Sequence, residues 1–295
     1  MIPRSLYEDL KGLLSLHFNQ PVKTLQLQPV GGGSINQTFR LTLSPTHTFF
    51  CKINKAAAYP HLFLKEKAGL QLLAQTLPVP QVVLYAIAGD YQVLLLEWIE
   101  SGTPTPAFWK RFGEQLATLH QTTHPCFGLH EDNYMGSMPQ QNTWQEDWIN
   151  FFVQQRLQPL AKQCTDKALL TAHDLRTFEQ LYHRLPLFFP EKEKPALVHG
   201  DLWSGNFMCN AASQPVLIDP AVYYGHRAVD LGMTTLFGGF DKTFYEAYHY
   251  HYPLPPHYQA QWDACNLYPL LIHLLLFGKS YLGRIRQTLQ ALAVE

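Results

Sequence analysis

A chain of 295 residues, 46% hydrophobic and 15% charged, is long enough for a large core or two lobes and too apolar to stay disordered. Its 22 Lys and Arg against 23 Asp and Glu give a formal charge of −1 with no basic run, which argues against a nucleic-acid or anionic-membrane surface. Five cysteines, Cys51, Cys126, Cys164, Cys209 and Cys265, form no CxxC pair; an odd count does not suit a disulfide framework and fits reduced thiols in a cytoplasm.

The opening residues alternate charged and apolar types at helical spacing and lack the apolar stretch and cleavage site of a signal peptide, so a short helix is expected over 5–18. Strand-like runs follow at 25–30, 35–43 and 48–53, with Gly31, Gly32 and Gly33 between the first two, a pattern for an antiparallel meander. Leu62, Phe63, Leu70, Leu73 and Leu77 recur near helical spacing and the run stops at Pro78 and Pro80, giving a helix over 60–77. Runs at 81–88 and 91–98, joined by Gly89 and Asp90, complete a five-stranded sheet. At 100–106 the composition shifts to small residues and prolines, placing an amino-terminal lobe at 1–100 and a mainly helical lobe at 101–295. Helices are expected at 106–121, 143–162, 169–184, 228–237 and 258–292, with one strand pair, 206–209 and 215–218. The polar stretch 125–142 is too long for a plain connector and reads as a substrate-facing loop. The most apolar segment, 267–277, is broken by Pro269 and His273 and falls short of the roughly 20 residues that span a bilayer. His249, His251 and His257 sit among Tyr and Pro with no cysteine or carboxylate to complete a zinc set, and read as surface or loop.

The chemistry concentrates in HGDLWSGN, His199 to Asn206, which follows an apolar strand-like run. Asp201 followed five positions later by Asn206 has the spacing of a kinase catalytic loop, where the Asp accepts a hydroxyl proton and the Asn holds Mg²⁺. Past it, Val216-Leu217-Ile218 ends in Asp219, where kinases keep a further magnesium ligand. Phosphoryl transfer is mainly positioning and charge neutralisation, which explains the need for hard oxygen ligands beside a base. In the amino-terminal half the glycine triplet suits close approach of backbone N–H groups to phosphate oxygens, or simply a flexible hairpin. Lys52, amid Phe49, Phe50, Cys51 and Ile53, needs an anionic partner if buried. Glu66 can provide one to orient Lys52 toward nucleotide phosphates, or can lie on a solvated face with Lys65 and Lys67. The Glu97 carbonyl and Ile99 N–H are placed to pair with adenine. Two readings stand for Asp230: capping a helix start, or bracing the catalytic loop.

Beyond a generic kinase, HGDLWSGN with IDPAVYYGHRAVDLGMTTLFGGF (218–240), GGSINQTFRL (32–41), FGLHEDNYMGSMPQQNTW (127–144), DWINFFVQQRLQP (147–159) and LYPLLIHLLLFGKSY (267–281) resembles the fructosamine (ketosamine) kinase family, relatives of aminoglycoside and choline kinases. The resemblance implies an α+β, two-lobed protein-kinase-like fold. It also implies phosphorylation of the 3-hydroxyl of a ketosamine by ATP with Mg²⁺, a deglycation activity. Carried over by position, Asp201 is the base, Asn206 and Asp219 hold Mg²⁺, Lys52 and Glu66 orient phosphate, and Trp203 and His199 lie on the substrate side. The family commonly carries an acidic residue where Ala228 stands and Asp or Cys where Ser34 stands. The rival readings are a kinase for another hydroxylated amine, such as an aminoglycoside or choline, and a nucleotide-binding scaffold without catalysis.

Overall fold

Apolar residues four positions apart put one buried stripe on α1 (Arg4–His17), formed by Leu6, Leu10 and Leu14. The structure, a computed structural model, describes residues 2–31, 36–190, 193–256 and 258–293. The α1 stripe packs on an antiparallel sheet of β1 (Gln26–Pro29), β2 (Gln37–Ser44), β3 (His47–Lys55), β4 (Val82–Ala88) and β5 (Tyr91–Glu97), in the order β1-β2-β3-β5-β4. Helix α2 (Leu62–Leu73) lies between β3 and β4 in the chain. Side chains alternate along a strand: Cys51 and Ile53 join the core under α1, while Lys52 between them points the other way and is also buried. Of the glycine triplet only Gly31 is among the described residues; Gly32, Gly33, Ser34 and Ile35 lie outside them.

The remaining elements, in order, are α3 (Pro106–His120), the hairpin β6 (Asn133–Met135) and β7 (Met138–Gln140), α4 (Trp148–Phe152), a wide π turn at Val153–Leu157, α5 (Gln158–Asp166), α6 (Ala172–Phe188) and β8 (Ala196–Val198). Then come the hairpin β9 (Phe207–Cys209) and β10 (Pro215–Leu217), β11 (Tyr223–Gly225), which pairs with β8, and helices α7 (Ala228–Leu236), α8 (Lys242–His251), α9 (Tyr258–Phe277) and α10 (Leu282–Ala293). The sequence cuts the chain once, at 100, whereas the compact units cut it three times: residues to 105 with 207–219 form one, and 106–206 with 220–295 the other. Hairpin β9–β10 belongs with the first because Gly102 N–H donates to the Cys209 carbonyl at 2.7 Å and Leu217 N–H to the Pro78 carbonyl at 3.0 Å. A Cβ on Gly102 would fall 2.2 Å from the Asn210 oxygen, so the close approach requires glycine there.

Two helices expected as continuous are not. The segment 143–162 turns helical only after Asp147, whose carboxylate takes the Asn150 N–H at 2.8 Å, and side-chain capping of this kind fixes a helix start; the π turn then interrupts it. The run 258–292 breaks at Gly278, which has φ +86° and cannot continue a right-handed helix. Helix α8 and strands β6, β7 and β11 were not foreseen, whereas β8 coincides with the apolar run before His199; most three-residue strands carry too little alternation to be read. Among the described residues no helix is long and apolar enough to cross a membrane. The five cysteines are all unpaired, four of them buried.

Helices α3 and α8 pack at very short range through Gly113, where a Cβ would stand 2.3 Å from the Phe244 carbonyl oxygen and 2.9 Å from the Tyr248 nitrogen. Gly113→Ala must push the two helices apart, and overpacking of this kind costs about 1 to 3 kcal/mol. Urea unfolding should show that loss; an unchanged midpoint would mean the helices separate freely.

Candidate active site

In the first unit, β3 carries Lys52 inward, where an ammonium without a counter-charge would cost several kcal/mol. Its side chain is 3% exposed, and Nζ donates to Glu66 Oε1 on α2 at 2.7 Å and to Asp219 Oδ1. Burial works to lower the Lys52 ammonium, but the Asp219 and Glu66 carboxylates outweigh it and hold it above the ordinary lysine value. Burial pushes the Glu66 carboxyl up to about 7, against the pull of Lys52 and with the help of Asp219. With Glu66 ionised, one ammonium between two carboxylates leaves the group with a surplus negative charge. Asp219 is the outward member, its side chain 41% exposed, and its backbone sits at φ +54°, a left-handed conformation that costs a non-glycine residue about 1 to 2 kcal/mol. Glu97 ends β5, its N–H donating to the Gln81 carbonyl at 2.8 Å, and Ile99 follows in the irregular segment after the strand.

In the second unit, β8 leads into the loop 199–206, and a buried carboxylate fixes that loop. Asp230, on the first turn of α7, has no exposed surface. Its Oδ2 accepts the His199 N–H at 2.7 Å and its Oδ1 the Gly200 N–H at 2.9 Å. The two oxygens serve the loop and not the start of α7, which has no side-chain cap. His120 of α3 completes the carboxylate, with Nε2 3.1 Å from Oδ2 and Nδ1 2.8 Å from the Tyr248 hydroxyl. With its proton on Nε2 this imidazole donates to Asp230 and accepts from Tyr248. Gly200 has φ +84°, and a Cβ there would lie 2.1 Å from the Ala221 oxygen, so geometry and space both demand glycine.

Asn206 ties the loop's two ends together: its Nδ2 donates to the Asp201 carbonyl at 2.8 Å and to Asp201 Oδ2 at 2.9 Å. That leaves Asn206 Oδ1, a hard oxygen, without a hydrogen-bond partner among the described residues. Trp203 is 37% exposed; its ring lies over Gly205, where a Cβ would approach it to 2.3 Å, and meets Phe237 edge-on at 5.7 Å. His199 does not fit the substrate-side assignment made from sequence. It is fully buried, and its Nδ1 accepts the Asp201 N–H at 3.2 Å, so the ring supports the loop from beneath.

Asn206 Oδ1 and the exposed Asp219 carboxylate are the donor types that suit Mg²⁺, which takes one or two protein oxygens and completes its shell with water and phosphate. No cluster of three or more His, Cys, Asp or Glu that could hold a metal occurs among the described residues; His257 lies outside them. Sequence reading missed His120, although its place beside Phe112, Leu116 and Leu119 on the buried face of α3 is a signal: an imidazole on an apolar stripe needs partners. It also missed His226, 3% exposed, whose Nδ1 accepts the Ala228 N–H at 3.2 Å and whose Nε2 faces Glu193 at 3.3 Å. Ala228, the departure from the family's acidic residue, is buried against this imidazole.

A family model described as Fructosamine kinase matches residues 6–295. A Lactiplantibacillus plantarum protein named "Probable ketoamine kinase" is 40% identical over 265 residues, covering 87% of this chain and 90% of the relative. The chloroplastic protein-ribulosamine 3-kinase of Arabidopsis thaliana is 35% identical, covering 85% of this chain and 78% of its own. Among solved structures, a Thermobifida fusca protein assigned as a fructosamine-3-kinase superposes with a TM-score of 0.87 at 32% identity, covering 97% of this chain and 99% of that one.

Burial lowers the His226 imidazole to about 4 despite the Glu193 carboxylate beside it. The unfolded chain takes up a proton here below about pH 6.5 while the folded chain stays neutral to about 4. The stability from this residue is therefore full above pH 6.5 and is lost as pH falls to about 4, by up to roughly 3 kcal/mol. Thermal unfolding between pH 7.5 and 4.5 should fall more steeply for the native chain than for His226→Gln; parallel curves would rule this out.

Proposed function

Since the chain belongs to the fructosamine kinase family, and so to the phosphotransferases with a kinase-like fold, we propose that it transfers the γ-phosphoryl group of ATP, with Mg²⁺, to the 3-hydroxyl of a ketosamine. The observation that carries this reading is the buried Lys52 ammonium held between Glu66 and Asp219, an arrangement suited to anchoring phosphate oxygens while keeping a carboxylate for a cation. Lys52 holds the phosphates and Glu66 fixes Lys52. The backbone N–H of Gly31 serves the phosphates, and the Glu97 carbonyl and Ile99 N–H take the adenine edge. Asp219 and Asn206 Oδ1 hold magnesium, which when bound neutralises charge on the phosphate oxygens.

Asp201 accepts the proton of the 3-hydroxyl as that oxygen bonds to the γ-phosphorus and the bond to the bridging oxygen breaks, releasing ADP. The hydrogen bond from Asn206 Nδ2 to Asp201 Oδ2 orients the carboxylate. Trp203 offers an exposed ring to the C–H face of the sugar. The phosphorylated adduct then decomposes and frees the amine, so the activity is one of deglycation repair. The names of the relatives, ketoamine, ribulosamine and fructosamine kinases, support the ketosamine class over an aminoglycoside. So does the use of one of the two acids in 125–142 within the fold, Asp132 accepting the Asn142 N–H at 2.8 Å, because a polycation would need free carboxylates. Unpaired thiols throughout suit a reducing cytoplasm.

Purified protein with ATP and Mg²⁺ should release ADP with fructosyl- or ribulosyl-lysine and not with kanamycin or choline; the reverse preference would replace the ketosamine by another amine. Asp201→Asn should lower turnover by about 10²- to 10⁴-fold with nucleotide affinity nearly unchanged, and retained turnover would remove Asp201 as the base. Asp219→Ala should abolish the magnesium dependence of nucleotide binding in calorimetric titrations; a persistent dependence would place the metal elsewhere.

A further inference from the structure

In the stretch 125–142 three amides, Asn133, Gln140 and Asn142, turn inward, while His130, Asp132 and Gln141 stay exposed. Asn133, Gln140 and Asn142 are 7%, 1% and 1% exposed, and Arg156 beside them is wholly buried. Buried amides are costly unless their hydrogen-bonding capacity is met, and here it is met in one connected set. Gln140 Nε2 donates to Asn133 Oδ1 at 2.8 Å and to the Ala221 carbonyl at 3.0 Å, and its Oε1 accepts the Tyr268 hydroxyl at 2.9 Å. Asn133 Nδ2 donates to the next carbonyl, that of Val222, at 2.8 Å. Asn142 Nδ2 donates to Asn133 Oδ1 at 2.9 Å, while its Oδ1 accepts from Arg156 Nη2 at 2.8 Å. The guanidinium, brought inward by the π turn at Val153–Leu157, has no carboxylate partner among the described residues. It lies over the rings of Tyr223 at 4.2 Å and Phe151 at 4.6 Å, a way of stabilising a buried cation without an anion.

The set ends on the backbone of the catalytic loop. Ala221 N–H donates to the His199 carbonyl at 2.9 Å, and the Ala221 oxygen that Gln140 holds is the atom that would meet a Cβ at Gly200. Asp230 thus fixes the loop through its N–H groups, and residue 221 fixes it through a carbonyl. We propose that Gln140 is a positioning residue: by holding the Ala221 carbonyl it sets the register of His199 and Gly200, and so the placement of the Asp201 carboxylate on the acceptor hydroxyl. This rests on the assignment of Asp201 as the base. The amide has only one workable orientation, because its reversal would set Oε1 against the oxygens of Ala221 and Asn133.

Gln140→Met removes both donors at nearly equal volume, and Tyr268→Phe removes only the hydroxyl that fixes the amide. The measurements are kcat and KM for fructosyl-lysine and for ATP, with kcat normalised to nucleotide-binding sites, and the ratio of sugar phosphate to ADP formed. Gln140→Met should lower kcat by about 10- to 100-fold, the scale of a misplaced catalytic group, with KM for ATP within about twofold and with ADP formed in excess of sugar phosphate. Tyr268→Phe should show the same pattern more weakly. A purely structural role would reduce the number of binding sites and leave kcat per site and the product ratio unchanged, and that result overturns the proposal. If Gln140→Met does not fold, Tyr268→Phe decides: a native kcat and product ratio overturns it. An inactive native protein toward every ketosamine overturns the proposed function and this role together, whereas a native protein that is active alongside unimpaired variants overturns this role alone.

Discussion

A carboxyl group without exposed surface is tolerated only when its oxygens are saturated, and the second unit is arranged around meeting that demand at Asp230. Two of its partners are backbone N–H groups at the turn out of β8, so satisfying the charge and shaping the loop are one event. The third, His120, brings in α3, and through it the Tyr248 hydroxyl brings in α8. The short packing of α3 on α8 at Gly113 sets how far that imidazole reaches. Three helices and a strand turn are thereby referred to one pair of oxygen atoms, and the loop bearing Asp201 and Asn206 takes its rigidity from them.

The first unit uses the opposite sign. A cation is buried there, and the answer is two anions where one would suffice. Glu66 is enclosed and serves Lys52, while Asp219 stands at the surface at a strained backbone position. An excess of negative charge at the exposed end of a buried pair is unfavourable in isolation and becomes favourable when a divalent cation arrives with an anionic ligand. The left-handed backbone at Asp219 is of the kind that persists only where the surrounding structure holds it.

Much of this was legible in the sequence where residue type alone carries the physics. A lysine in the middle of an apolar strand has to find a carboxylate, and Glu66 on the following helix was within reach. The five strands of the sheet are long enough for alternation to register, and the prolines around α2 and α3 punctuate the chain plainly. What escaped was encoded by partners distant in sequence. Nothing local marks His120 as a companion of a residue 110 positions on, or reveals that Gln140 and Asn133 face inward, because amides in a polar stretch look the same whether solvated or buried. The burial of His199 is of this type: a histidine next to a catalytic aspartate suggests contact with ligand, and only packing exposes it as a support. A short strand such as β11 owes its existence to its pairing with β8 and has no signature of its own.

The membership of hairpin β9–β10 in the first unit has a consequence for how the gene can be divided. Both units are discontinuous, each assembled from two stretches of chain, so a fragment stopping near the proline-rich linker would lack the strands that bond to Gly102 and Pro78, and its complement would carry an orphaned insert. Shuffling such a protein by exchanging one contiguous half for that of a relative would therefore transplant an incomplete module. Recombination that respects the architecture has to carry the thirteen-residue insert along with the amino-terminal stretch.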